Sequence, residues 1–147
     1  MVVTSGEFRA PALLVASDPD HDLALLKIET VGLSSAPIGY AGAVTLDQEV
    51  IVVGFPFGLR EPSVSHGRIS AVRTKGVRRV FQIDAPVNPG NSGGPVFNLN
   101  GELIGLVTTK FSHPSGIVPE GMGFAMPISY ALPLLANVPK IDFSAIG

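Results

Sequence analysis

The chain has 147 residues, ten Lys and Arg against twelve Asp and Glu, and a formal net charge of −2. That balance offers no overall polyanion-binding surface, so no nucleic-acid partner is expected, and an apolar content of 46% argues against disorder. The absence of cysteine excludes disulfides and thiolate metal sites and leaves the redox compartment open.

The length suits one ordinary domain with a real core, and 17 Gly with 13 Pro suit an all-β fold with many turns. No apolar run approaches the roughly 18 residues of a membrane span, and no signal-peptide pattern follows Met1. Two extended runs open the chain, Glu7–Ala16 and Asp22–Glu29, joined at the turn signal Asp18-Pro19-Asp20. By the period-two rule Asp22, Ala24, Leu26 and Ile28 share one face of the second run. Asp22 then stands at the mouth of an apolar face, where a carboxylate needs a partner; as a plain alternative it caps the turn. His21 points to the opposite face and is a poor partner for Asp22.

Residues 31–48 read as a connecting loop. Glu49–Gly54 is a continuous apolar run of the kind covered on both faces. Ser63–Arg73 and Arg79–Ile83 follow as strands around Arg73–Arg79 (R-T-K-G-V-R-R), which reads as a solvated hairpin tip. Val96–Leu99 and Glu102–Lys110 flank Asn100-Gly101, a strong hairpin signal. Gly123–Met126 makes the sixth strand of this series, and six at this spacing suit a small closed antiparallel barrel. Ser129 is placed to N-cap a short helix over Tyr130–Ala136, weakened by Pro133. No His/Asp/Glu cluster has metal spacing, so no cofactor is implied.

The stretch Gln82–Phe97 (Q-I-D-A-P-V-N-P-G-N-S-G-G-P-V-F) crowds three glycines and three prolines around Ser92. Gly permits positive φ, Pro fixes φ, and together they build a stiff turn able to aim backbone N–H groups at one point. Beside a nucleophilic hydroxyl such a turn serves as an oxyanion hole for acyl transfer. The same residues satisfy G-x-S-x-G, but Pro95-Val96-Phe97 does not open a long helix, and His113 precedes Asp142. The strand–elbow–helix reading therefore fails. Asp84 is read as a brace for the nucleophile loop.

With these residues in place, the chain resembles the trypsin-like serine proteases, and within them the HtrA/Deg family. The matching words are Asp18–Ile28 (D-P-D-H-D-L-A-L-L-K-I), Val52–Gly58 (V-V-G-F-P-F-G), Gln82–Pro95, Asn100–Gly105 (N-G-E-L-I-G) and Gly121–Pro127 (G-M-G-F-A-M-P). The resemblance implies a double β-barrel: residues 1–40 as a remnant of the first barrel, 41–128 as a complete second six-stranded barrel with the nucleophile loop, and 129–147 as a short helix and tail. It puts Ser92 on the nucleophile, Asp22 on the triad aspartate, and the oxyanion hole at Gly90, Asn91 and Ser92, with the N–H groups of Gly90 and Ser92 as donors. Pro86 falls at the base of the specificity pocket with Val87 beside it, and Thr108, Thr109, Lys110 and Met122 fall on its walls. With no carboxylate at that base, a small or medium apolar residue is expected before the scissile bond. The family further implies serine endopeptidase activity on unfolded or damaged polypeptides, trimeric assembly and an extracytoplasmic, periplasmic location.

One family feature is unmatched. The catalytic histidine lies upstream of the aspartate in a T-x-x-H-V-like word, and residues 1–21 hold none. His21, His66 and His113 are not where the family places its base. A serine hydroxyl without an adjacent base is a weak nucleophile. Three readings follow: a fragment of an active protease, a peptide-binding pseudoprotease, or a half-domain completed by another chain.

Overall fold

The structure is a computed structural model that describes residues 1–5, 8–55, 60–87, 90–109 and 121–136. It divides into two compact units, Met1–Ser35 with Ala131–Gly147, and Ala36–Tyr130.

In the first unit β1 (Val2–Ser5), β2 (Phe8–Asp18) and β3 (Leu23–Ile28) form an antiparallel sheet in chain order. The strand β1 has no counterpart among the expected elements. It is a short β-branched run that gains its hydrogen bonds by pairing with β2, Val2 opposite Pro11 and Ser5 opposite Phe8. The link between β2 and β3 is a 3-10 turn, Pro19–His21, N-capped by Asp18. Proline suits that first position because its missing N–H would have no partner there anyway. The strand β3 starts at Leu23, one residue later than the run read from the sequence. Leu23 is buried, whereas Ala24 and Leu26 are exposed, so the face assigned to Asp22 is the more open one. A four-residue helix, α1 (Leu132–Leu135), lies against β2. Ser129 does not cap it. The cap position is Ala131, with no side-chain bond, and Ser129 sits in a separate 3-10 turn, Ile128–Tyr130.

The second unit is the six-stranded closed barrel expected from the strand spacing. It is formed by β4 (Glu49–Gly54), β5 (Ser63–Lys75), β6 (Arg78–Ile83), β7 (Pro95–Phe97), β8 (Leu103–Thr108) and β9 (Gly123–Pro127). The order round the barrel is β4-β5-β6-β9-β8-β7, every neighbouring pair antiparallel. Val50, Val52, Ile69, Val80, Phe81, Ile83, Val96 and Ile104 fill the interior at 1% exposure or less. The strand β4 does not have both faces covered: Val50 and Val52 point in, while Ile51 and Val53 keep partial exposure. It is β9 that is buried at all five residues. Small residues make that possible, because a Cβ on Gly105 would meet the Met126 carbonyl at 3.1 Å and the Ala125 side chain at 3.4 Å.

The β7–β8 turn is longer than the Asn-Gly pair suggested, so both strands are shorter than expected. Asn98 organises it. Its Oδ1 accepts the N–H groups of Asn100 and Glu102, each at 3.0 Å, and its Nδ2 donates to Glu102 Oε1 at 2.9 Å. Gly101 supplies the positive φ of 76°. Among the described residues no helix is long and apolar enough to cross a membrane.

Candidate active site

Ser92 is exposed at the second position of a four-residue turn, Asn91–Gly94. The Gly94 N–H donates to the Asn91 carbonyl at 2.9 Å, and Gly93 occupies the third position with φ 83°. A positive φ there is the requirement of a type II turn, which glycine meets without strain. The turn is tied to β8 on both sides: the Gly93 N–H donates to the Val107 carbonyl at 2.8 Å, and the Val107 N–H to the Gly94 carbonyl at 2.9 Å. The Asn91–Gly94 turn is thereby registered against a barrel strand. Its hydroxyl projects from a rigid base.

Below the turn the packing is tight. A Cβ on Gly94 would stand 2.5 Å from the Val53 carbonyl and 2.8 Å from that of Asn91. Gly54, which ends β4, packs directly under the Asn91 amide, with no room for a Cβ. Asn91 is 5% exposed, and no donor among the described residues reaches its Oδ1. Sequence reasoning missed Gly54 as a site residue; the signal available was a β-branched strand ended by glycine. Gly90 has φ 98°, and no acceptor among the described residues takes the N–H of Gly90 or Ser92. Two backbone donors beside an exposed hydroxyl are what stabilisation of an oxyanion requires.

Several residues expected to line the pocket gather at the same part of the barrel. Thr108, buried, directly follows Val107 in β8 and pairs with Phe124 in β9. Val87 is half-buried, its side chain lying over Gly123, the neighbour of half-buried Met122. Pro86 and Thr109 are exposed. Lys110 lies outside the described residues, as does His113.

Asp84, expected to brace the loop around Ser92, ties the start of the Gln82–Phe97 stretch to β5. Its carboxylate accepts the Arg68 N–H and its own N–H donates to the Arg68 carbonyl at 3.1 Å, so it holds β5 to the end of β6. His66 is exposed on β5 opposite Ile51. It borders a recess of about 310 Å³ that it shares with Glu49, Arg68, Asp84 and Leu99, none of them in the Asn91–Gly94 turn.

Asp22 belongs to the first unit. It is half-buried, terminates the 3-10 turn with φ 55° and ψ 42°, and its N–H donates to the Pro19 carbonyl at 3.4 Å. It therefore occupies a left-handed corner rather than a strand position, a conformation Asp tolerates better than most residues. The preceding residues form a pair that the sequence reading missed. His21 Nδ1 lies 2.6 Å from Asp18 Oδ2, and the His21 N–H donates to Asp18 Oδ1 at 3.3 Å. The His21 hydrogen bond holds the Asp18 carboxyl below its ordinary value of 3.8, against a smaller opposing effect of burial. The spacing Asp-x-x-His at a Pro-containing turn was the available signal. Among the described residues no three His, Asp or Glu side chains are grouped to hold a metal ion.

A family model described as a trypsin-like peptidase domain matches residues 1–106, which include both Asp22 and Ser92. Proteins named probable periplasmic serine endoprotease DegP-like, from Ectopseudomonas mendocina (strain ymp) and Halomonas elongata, are 38% and 40% identical over 125 residues, 82% of this chain and 26% of theirs. The chain thus spans about a quarter of the length of these curated relatives. Among solved structures, the HtrA-type protease AlgW with decapeptide superposes with a TM-score of 0.76 at 37% identity, covering 87% of this chain and 40% of that one. The chain belongs to the trypsin-like peptidase domain family, and its likeness within that family is to the HtrA/Deg proteases.

Proposed function

We propose that these residues carry the nucleophile and the orienting carboxylate of an HtrA-type serine endopeptidase acting on unfolded polypeptides. The observation that carries the reading is the Gly90–Gly94 turn, which exposes Ser92 beside two backbone N–H groups that no described residue engages. In this reading Ser92 Oγ attacks the scissile carbonyl carbon. A histidine supplied from outside the 147 residues takes the hydroxyl proton and passes it to the leaving amine, while Asp22 orients that histidine. The N–H groups of Gly90 and Ser92 receive the oxyanion, and water then hydrolyses the acyl ester. Residues 1–40 belong to a first barrel, 41–128 are the second, and 129–147 are a helix and tail. The curated relatives' names support an extracytoplasmic, periplasmic setting, and the peptide-bound AlgW structure supports a polypeptide substrate. Trimeric assembly is part of the same proposal. With Pro86 at the pocket base, and Val87, Thr108, Thr109, Lys110 and Met122 around it, the residue before the scissile bond is small or medium and apolar.

The test is to express the chain with its in-frame upstream coding sequence and follow hydrolysis of casein. A T-x-x-H-V-like word is expected upstream. Ser92→Ala should lower kcat by up to about a million-fold, as loss of a nucleophile does in a serine protease. Hydrolysis that survives Ser92→Ala, or an upstream sequence without such a word, would sink the reading. Peptide binding without cleavage would then assign the fold to a peptide-binding module. Preferred cleavage after Arg would overturn the specificity alone.

A further inference from the structure

Asp22 holds a backbone conformation that a carboxylate side chain does not require. It stands at φ 55° and ψ 42°, and among the described residues Asp47 is the one other non-glycine with positive φ. That region is strained for an L residue, and a corner serving only to link β2 and β3 would favour glycine or asparagine. Strain of this kind gathers at active sites, where the surrounding structure has to over-determine it. The hydrogen bond that Asp22 makes with its own backbone contributes little to that. Its N–H reaches the Pro19 carbonyl only at 3.4 Å, beyond the usual range.

The residues just before it supply the hold. The half-buried Asp18 carboxylate grips the half-buried His21 at two points: Oδ1 accepts the His21 N–H at 3.3 Å, and Oδ2 lies 2.6 Å from the ring Nδ1. The ring contact is the shorter. The His21 hydrogen bond keeps the Asp18 carboxyl below 3.8, so the carboxylate is ionised at neutral pH and the ring nitrogen is the donor. A bond to an ionised acceptor is stronger than a neutral one. Both bonds end on the residue joined directly to Asp22.

We propose that Asp18 and His21 form a clamp that sets the left-handed corner at Asp22 and so positions the carboxylate that orients the catalytic histidine. The inference rests on the endopeptidase reading of Asp22 and adds two positioning residues to it. Two features favour a clamp over a cap that only stabilises the link between the strands. An N-cap needs the carboxylate and a backbone N–H alone, whereas here a ring adds a second, shorter bond. That ring also belongs to the residue leading into the corner, so losing its bond frees the peptide beside Asp22 first.

The test follows casein hydrolysis at varied substrate concentration by the chain expressed with its in-frame upstream coding sequence. His21→Ala should lower kcat by up to about a hundred-fold with KM unchanged, the scale of loss that a misplaced catalytic group brings. His21→Asn should recover most of that rate. The asparagine Nδ2 stands as many bonds from the backbone as the imidazole Nδ1 and can donate to Asp18 Oδ2. His21→Leu keeps bulk without a donor and should behave like His21→Ala, while matching thermal melts show that all three variants fold. A second readout needs no activity: in the 147-residue chain, the carbon-13 shifts of Asp22 should report a left-handed corner in the native protein and in His21→Asn, and lose it in His21→Ala. Either an unchanged kcat or unchanged Asp22 shifts in His21→Ala would overturn the inference, as would rescue by leucine equal to that by asparagine. If the native protein leaves casein intact, or cleaves it equally after Ser92→Ala, the endopeptidase reading falls instead, and the Asp22 shifts alone decide the clamp.

Discussion

Gly93 and Gly94 stand side by side for different reasons, and substitution should separate them. A Cβ on Gly93 would meet nothing within 4 Å, but its φ of 83° is costly for any L residue. Gly93→Ala should therefore destabilise by about 1–2 kcal/mol. Gly94 has no room, because the atoms in the way are the carbonyls of Val53 and Asn91, and backbone yields little. Gly94→Ala should cost about 3 kcal/mol, read from urea denaturation midpoints. The reverse order of costs would mean that the turn relaxes around Gly94. Asp18 gives a prediction in pH. Its native pKa is lowered by the His21 hydrogen bond, so its contribution is fully present above the ordinary value of 3.8 and is lost as pH falls through the lowered native value. The advantage of the native chain over Asp18→Asn should be about 1 kcal/mol or less at neutral pH and should fade below about pH 4 in acid denaturation.

Among the elements, the β5–β6 hairpin sets stability against charge. Lys75→Glu would place an acid at the register position opposite Arg78 and should raise hairpin stability by about 0.2–1 kcal/mol, measured by thermal denaturation. If stability falls instead, the register of Lys75 with Arg78 is not what limits the tip. The β7–β8 turn contrasts with it: the Asn98 side chain makes three hydrogen bonds within five residues, and local polar chemistry alone accounts for its shape.

For the molecule as a whole, closure is the decisive feature of the second unit. A six-stranded ring leaves no strand edge unpaired around its circumference, and its interior is filled by side chains from every strand. Phe81, at 1% exposure, is the largest of the fully buried side chains. Phe81→Ala should lower the stability of this unit by about 3–5 kcal/mol. The readout is selective, since the chain has two tyrosines and no tryptophan, and both Tyr40 and Tyr130 lie within Ala36–Tyr130. Tyrosine fluorescence therefore follows the barrel. An unchanged midpoint in Phe81→Ala would contradict the assignment of Phe81 to its core.

Much of this was legible in the sequence because it rests on local chemistry. Six apolar runs separated by Gly, Pro and Asn turns specify strands and their number, and six antiparallel strands of this spacing close into a barrel. The glycines and prolines around Ser92 likewise announced a stiff turn before any coordinate. What the sequence did not reveal lies partly in local backbone geometry and partly in partners distant along the chain. The strand β1 exists because β2 offers it an edge. The burial of β9 on both faces depends on what packs over it, and β4 reads more apolar yet stays half open. Asp22 stands outside the strand because a 3-10 turn ends there in a left-handed corner. Asp84 ties the start of the Gln82–Phe97 stretch to Arg68 of β5, and Gly54 supports Asn91. The Asp84–Arg68 and Gly54–Asn91 contacts join residues far apart in sequence, and only the closed sheet brings them within reach.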